Sequence, residues 1–192
     1  MNDITKGHAL HDTMTVDVNV PEHEKRETTA LFRRTRELLI AREHGRCFVS
    51  RRTAAQLGHP LEAHHHPIER SMAEMIDWDR FSLDAKKGMY GPHAAAFDWE
   101  GFFEGATMQR VEVPATDDEE AYTVTMRIPR DPYLFVDDMT VNGLLLGKDY
   151  HTGNDEGIHR LPYPLWLARV YGREGYVFSS VETIHNARFQ PE

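Results

Sequence analysis

The chain holds a single cysteine, Cys47, among its 192 residues. One thiol closes no internal disulfide and builds no four-thiolate zinc site, so a disulfide-stapled scaffold is excluded. No apolar run approaches the roughly 20 residues that cross a bilayer, so no transmembrane helix and no membrane partner are expected. Residues 1–14 lack a basic-then-apolar layout. No secretory leader is therefore expected, and a reducing cytoplasm is the expected compartment. Positive charge is also in deficit: 22 Lys and Arg face 31 Asp and Glu, a net of -9. That argues against a protein held on nucleic acid by its overall field, and it leaves room for a local basic patch. Internal repeats and low-complexity segments are absent, and 13 Gly and 10 Pro are too few for a fibrous or disordered chain.

What is present is a soluble globular composition, 40% hydrophobic and 28% charged, long enough for one domain with a real core. Residues 1–20 read as a flexible N-terminal arm and 21–192 as a single domain. Pro21 to His44 reads as a helix, with Leu31, Leu38 and Leu39 in its apolar stripe and Gly45 as its stop. Its second half and the following turn are rich in arginine: Arg33, Arg34, Arg36, Arg42, Arg46, Arg51 and Arg52. Cys47 to Ser50 reads as a short strand, Thr53 to Gly58 as a connector, Leu61 to His66 as an extended run and Ile68 to Phe81 as a helix. Tyr90, Phe97, Trp99, Phe102 and Phe103 suggest a small satellite core, and Trp78 and Trp166 also read as core. Met108–Val113 and Tyr122–Ile128 read as a hairpin. Its alternation of Tyr122, Val124, Met126 and Ile128 with polar residues predicts one buried face. The loop residues Asp117, Asp118, Glu119 and Glu120 read as a solvated tip or a cation site. Leu144 to Leu146 is a compact apolar strand, Pro164 to Tyr171 a terminal helix, and Tyr176 to Ile184 a last strand.

The chain carries 12 histidines, and their placement is the most informative feature. Leu61-Glu62-Ala63-His64-His65-His66 puts consecutive imidazoles in one run, and each ring brings two nitrogens that need partners. A neutral imidazole is both a common metal ligand and a competent general base near neutral pH. Asn142 stands nine residues before His151, across the apolar strand, and His159 follows eight residues later.

Together these residues resemble the HNH, or ββα-metal, nuclease family. The first half of its pattern, Leu-Glu-x-His-His, is matched by Leu61, Glu62, His64 and His65. The second half, Asn-Leu-x-x-Leu-Cys-x-x-Cys-His, is matched at Asn142, Leu146 and His151. The family's ribbon thiolates fall on Cys47, Ser50, Gly147 and Tyr150, so no structural zinc ribbon is expected and apolar packing must replace it. The blocks cover about residues 45–67 and 136–160. The implied fold is α+β: a ββα-metal (HNH, or His-Me finger) core, an N-terminal helix, and an inserted helix-plus-hairpin region at about 68–135. Loop-closure cost grows only logarithmically, so such an insertion is tolerated.

The resemblance implies a metal-dependent endonuclease that hydrolyses DNA phosphodiester bonds by a one-metal mechanism. His64 and His151 would hold one divalent ion (Mg, Mn, Ni or Zn), with His159 as a further ligand and Asp155 its competitor. His65 would be the general base, oriented by the Asn142 amide. Arg33, Arg34, Arg36, Arg51 and Arg52 would contact DNA phosphates. Small stand-alone members commonly belong to bacteria or phages, which makes a phage or host protein a candidate partner. Two alternatives stand beside this reading. One is a decayed HNH scaffold that binds nucleic acid or serves assembly. The other is a phosphoesterase that chelates its metal with His64 and His66, which share a face in a regular strand while His64 and His65 do not.

Overall fold

The computed structural model describes residues 28–113, 115, 120–154, 156–161, 177–179 and 182–183. The N-terminal arm, most of the acidic hairpin loop, Asp155, Trp166 and the Pro164–Tyr171 helix expected from sequence lie outside them. The architecture is α+β, with short helices and small two-stranded sheets. Among the described residues no helix is long and apolar enough to cross a membrane. The described residues divide into two compact units, one holding 39–64 and those from 144 on, the other 28–38 and those between 65 and 143.

Helix α1 spans Ala30–Arg42. Its buried positions are Thr35 and Leu39, whereas Leu38, expected in the stripe, is exposed. The helix thus turns a hydroxyl inward. The Thr35 Oγ1 lies 2.8 Å from the Leu31 carbonyl and 3.1 Å from that of Asp137, and it accepts a bond from the Met139 N–H. A buried hydroxyl with such partners is satisfied, so the apolar pattern alone misplaced the inner face.

Strand β1 (Leu61–His65) pairs with β4 (Gly143–Gly147), every residue of which is buried; all of the pair but His65 and Gly143 falls in the first unit. Helix α7 (Lys148–Thr152) follows β4 directly and is anchored by the buried Tyr150. Cys47 to Ser50 is a turn, not the expected strand. The Arg51 N–H donates to the Cys47 carbonyl, Arg51 sits at φ 58°, and the Phe48 N–H reaches the Leu145 carbonyl at 2.7 Å. The Thr53–Gly58 connector contains a short helix, α2 (Ala54–Leu57), held by a reciprocal Thr53–Gln56 capping box. Cys47, Ser50, Gly147 and Tyr150 are all buried, and the Gly147 N–H donates to the Cys47 Sγ at 3.3 Å. Val177–Ser179 (β5) and Glu182–Thr183 (β6) form a small antiparallel pair within the expected last strand.

The second unit is built on aromatics. Phe135, within α6 (Tyr133–Val136), is fully buried, with ring centroids of Trp78, Phe81, Phe97 and Trp99 between 5.1 and 5.7 Å away. These rings form the main core of the unit rather than a satellite. The expected Ile68–Phe81 helix is broken: Arg70–Met75 is a 3-10 helix, Ile76 is extended, and Asp77 caps α3 (Trp78–Lys86) through a bond from the Arg80 N–H. An aspartate at that position favours starting a helix over continuing one. Gly91–Ala95 (α4) and Trp99–Phe102 (α5) follow, and Asp98 caps α5 in the same way. The indole N–H groups of Trp78 and Trp99 donate to the carbonyls of Ala73 and Ala94, each five residues upstream.

Thr107–Val113 (β2) and Tyr122–Ile128 (β3) form the expected hairpin, antiparallel from Thr107↔Ile128 to Val113↔Tyr122. The expected buried face is not found: Tyr122 is exposed, and Val124, Met126 and Ile128 are only half-buried. A two-stranded ribbon has no second layer to cover a whole face. It is tied down instead by Arg127, whose guanidinium bonds Asp79 at 2.6 Å and lies 3.8 Å over the Phe103 ring.

Candidate metal centre

Strand alternation places Glu62 and His64 on one face of β1. His151 sits in the last turn of α7. Past Gly153 the chain turns back, so that the N–H groups of Ile158 and His159 reach the carbonyls of Tyr150 and His151. The return is tight enough that a Cβ at Gly157 would lie 2.6 Å from the Gly153 carbonyl oxygen. At the other end of α7, a Cβ on Gly147 would meet Leu57 at 2.9 Å. Glycine at position 157, where the neighbouring atoms are all backbone, lets the chain close on the site.

The result is a three-imidazole cluster. One ring nitrogen from each of His64, His151 and His159 lies within 4.8 Å of the others. Ring centroids are 5.1 Å apart for His64 and His151, 4.8 Å for His64 and His159, and 4.9 Å for His151 and His159. The Nε2 atoms of His151 and His159 are 3.2 Å apart. Two nitrogens on one tetrahedral ion, each bonded at about 2.0–2.1 Å, would lie roughly 3.3 Å apart. His64 is buried, His151 half-buried and His159 exposed, which leaves the cluster open on one side.

Glu62 completes the arrangement. Its Oε2 lies 2.6 Å from the His151 Nδ1. An ionised carboxylate only accepts, so the proton sits on Nδ1 and the lone pair on Nε2, which faces His159. Carboxylates that fix the tautomer of a metal-binding histidine in this way raise its basicity. Sequence reasoning quoted Glu62 within the motif and gave it no role. Its spacing of two from His64 on a strand was the available signal.

His65 lies in the second unit, with different partners. Its Nε2 is 3.3 Å from the Oδ1 of Asp137, and the Phe32 ring packs against it at 5.4 Å. Asp137 also accepts from the Arg70 Nε at 3.1 Å and from the Thr29 hydroxyl at 3.0 Å. Burial would raise its carboxyl. The bond from His65, the Arg70 charge, the Thr29 bond and the His65 charge together hold it below the ordinary carboxylate value. Sequence reasoning did not find Asp137 or Arg70; they stand 72 and 5 positions from His65, and no short motif contains them. Burial lowers His66 below the ordinary imidazole value.

Asn142 is fully buried, and its amide is committed to backbone. The oxygen accepts from the Ile68 N–H at 3.0 Å, and the nitrogen donates to the carbonyls of Ile68 at 2.8 Å and Val136 at 2.9 Å. The side chain bonded to His65 is therefore Asp137. Asn142 braces the backbone on both sides of that pair.

The five arginines fall in both units. Arg33, Arg34 and Arg36 lie on the α1 residues of the second, Arg51 and Arg52 in the first. Arg33 donates to the Thr28 carbonyl, Arg36 pairs with Glu37, and Arg51 lies 4.0 Å from Glu43 and over the Phe48 ring. Arg34 and Arg52 are exposed. Comparison with protein-family models, curated proteins and solved structures finds no match to the chain.

Proposed function

We propose that the chain is a metal-dependent endonuclease of HNH type that hydrolyses DNA phosphodiester bonds with one divalent ion. The observation that carries this reading is the convergence of His64 with His151 and His159, which stand more than 80 positions further along the chain, ring nitrogens within 4.8 Å of one another. The donor set fits such an ion: three imidazoles, one held in its metal-binding tautomer by Glu62. The order of elements also supports a ββα-metal core, since the paired strands β1 and β4 carry His64 and lead directly into α7 with His151.

In this reading His64, His151 and His159 hold the ion, and Glu62 orients His151. When bound, the ion supplies Lewis-acid stabilisation of charge on the nonbridging and leaving oxygens of the phosphodiester. His65, next to His64 in the chain, takes the proton of the attacking water, a contribution of about 10²–10⁴-fold. Arg34 and Arg52 offer exposed guanidinium groups to backbone phosphates.

The test is nicking of supercoiled plasmid by purified full chain with Mg²⁺, Mn²⁺, Ni²⁺ or Zn²⁺, alongside calorimetric titration of each ion. The expected result is cleavage that a chelator stops, and a binding stoichiometry of one that His151→Ala and His159→Ala both weaken. Metal uptake with intact plasmid under every ion, and retained duplex binding, would favour the decayed scaffold instead.

A further inference from the structure

The Asp137 carboxylate is almost wholly inaccessible, 2% exposed. Three donors converge on its two oxygens: the Arg70 Nε and His65 Nε2 on Oδ1, the Thr29 hydroxyl on Oδ2. Its backbone is held as well, the N–H by the Tyr133 carbonyl at 3.0 Å and the carbonyl by the Thr35 hydroxyl. The Arg70 guanidinium is itself fixed 4.4 Å over the Tyr133 ring. A group clamped on every side in this way does not swing to follow an imidazole; the imidazole must orient to it.

We infer that Asp137 is the positioning residue of His65, holding its ring as the Nε2–H tautomer so that Nδ1 carries the basic lone pair. This places on Asp137 the role that the family resemblance gives to Asn142. The functional half of the inference rests on the nuclease reading; the tautomer does not. An ionised carboxylate has no proton to give, so the atom facing it must be an N–H. In a neutral imidazole the lone pair then falls to the other nitrogen. Among the described residues no hydrogen bond engages the Nδ1 of His65. Arg70 has a part here too: after the His65 bond itself, its charge helps to hold the Asp137 carboxyl below its ordinary value against burial. The Phe32 ring packed against His65 limits rotation of the imidazole. The Asn142 amide bonds Ile68 and Val136, and among the described residues no hydrogen bond joins it to His65.

The experiment has two readouts. The first is long-range proton–nitrogen NMR of the full, metal-free chain with labelled histidine, near neutral pH, with His65→Gln used for assignment. The expected spectrum gives His65 a protonated Nε2 and an unprotonated Nδ1. In Asp137→Asn, whose amide donates as well as accepts, that preference should weaken or reverse. The second is steady-state cleavage of a DNA duplex with Mn²⁺. Asp137→Asn should lower kcat by about 10²–10⁴-fold, with KM and Mn²⁺ affinity within about threefold of the unaltered chain, as expected for a lost tautomer anchor. Asp137→Glu should recover part of the loss, which a purely structural role would not allow. A His65 protonated on Nδ1 in the unaltered chain overturns the inference even if Asp137→Asn fails to fold. A folded Asp137→Asn that turns over at the original rate also overturns it. A chain that cleaves no DNA yet shows the Nε2–H tautomer sinks the nuclease reading and supports the pairing.

Discussion

His64 and His65 are consecutive in the chain, and their surroundings differ in kind. The His64 ring stands edge-on to two other imidazoles, with centroids about 5 Å away. The His65 ring faces a carboxylate that is locked by arginine and threonine. The His151 and His159 Nε2 atoms are 3.2 Å apart, a spacing that fits a shared proton as well as a shared cation. An imidazole set against a carboxylate keeps its proton on one nitrogen and offers the other. The two neighbours thus differ in their partners, and the difference comes from residues far away in sequence.

The comparison breaks first at His64. His64→Ala should abolish stoichiometric metal binding and reduce cleavage by about 10³-fold or more, since a Lewis acid contributes several kcal/mol to the transition state. Calorimetry and plasmid nicking read the two effects. His65→Ala should cost about 10²–10⁴-fold in kcat while leaving metal affinity within about threefold, measured on the same samples. Equal loss of metal in both variants would erase the distinction between the neighbours. Glu62→Gln sharpens the first environment: loss of the carboxylate partner of His151 should weaken metal binding by about 10–100-fold without unfolding the chain. The smallest effect concerns the second environment and acid. The carboxyl of Asp137 is depressed in the folded chain, so its contribution to stability is present above the ordinary carboxylate value and is lost as pH falls through the lower folded value. Denaturant unfolding across the acid range should show this loss, and Asp137→Asn, compared over the same range, should show less of it.

Much of this was legible in the sequence, for a local reason. Strand β4 is a short apolar run between glycines, β1 is an extended run lying between Pro60 and Pro67, and the histidine spacing is visible without a structure. The hairpin extents also followed from alternation. Its buried face did not, because alternation reports which residues share a side and not whether a second layer covers it. The inner face of α1 was misread because Thr35 is polar by type and buried by virtue of bonds to the Leu31, Asp137 and Met139 backbone. Cys47 to Ser50 has strand-like residues, but Arg51 in the left-handed region and the contact to Leu145 make it a turn. Glu62 had a readable signal, two positions from His64. Asp137 had none, because its meaning depends on a contact across 72 residues.

The Asn142 amide grips Ile68 and Val136, and these two residues bracket the excursion of residues 68–135. That single side chain acts as a clasp that ties the two ends of the segment together. Arg70, bonded to Asp137, and the rings packed on Phe135 lie within it, so the segment is the unit's own core and not an exchangeable attachment. Cutting the clasp loosens both ends at once, and any graft between Ile68 and Val136 has to bring Arg70 and that aromatic cluster with it.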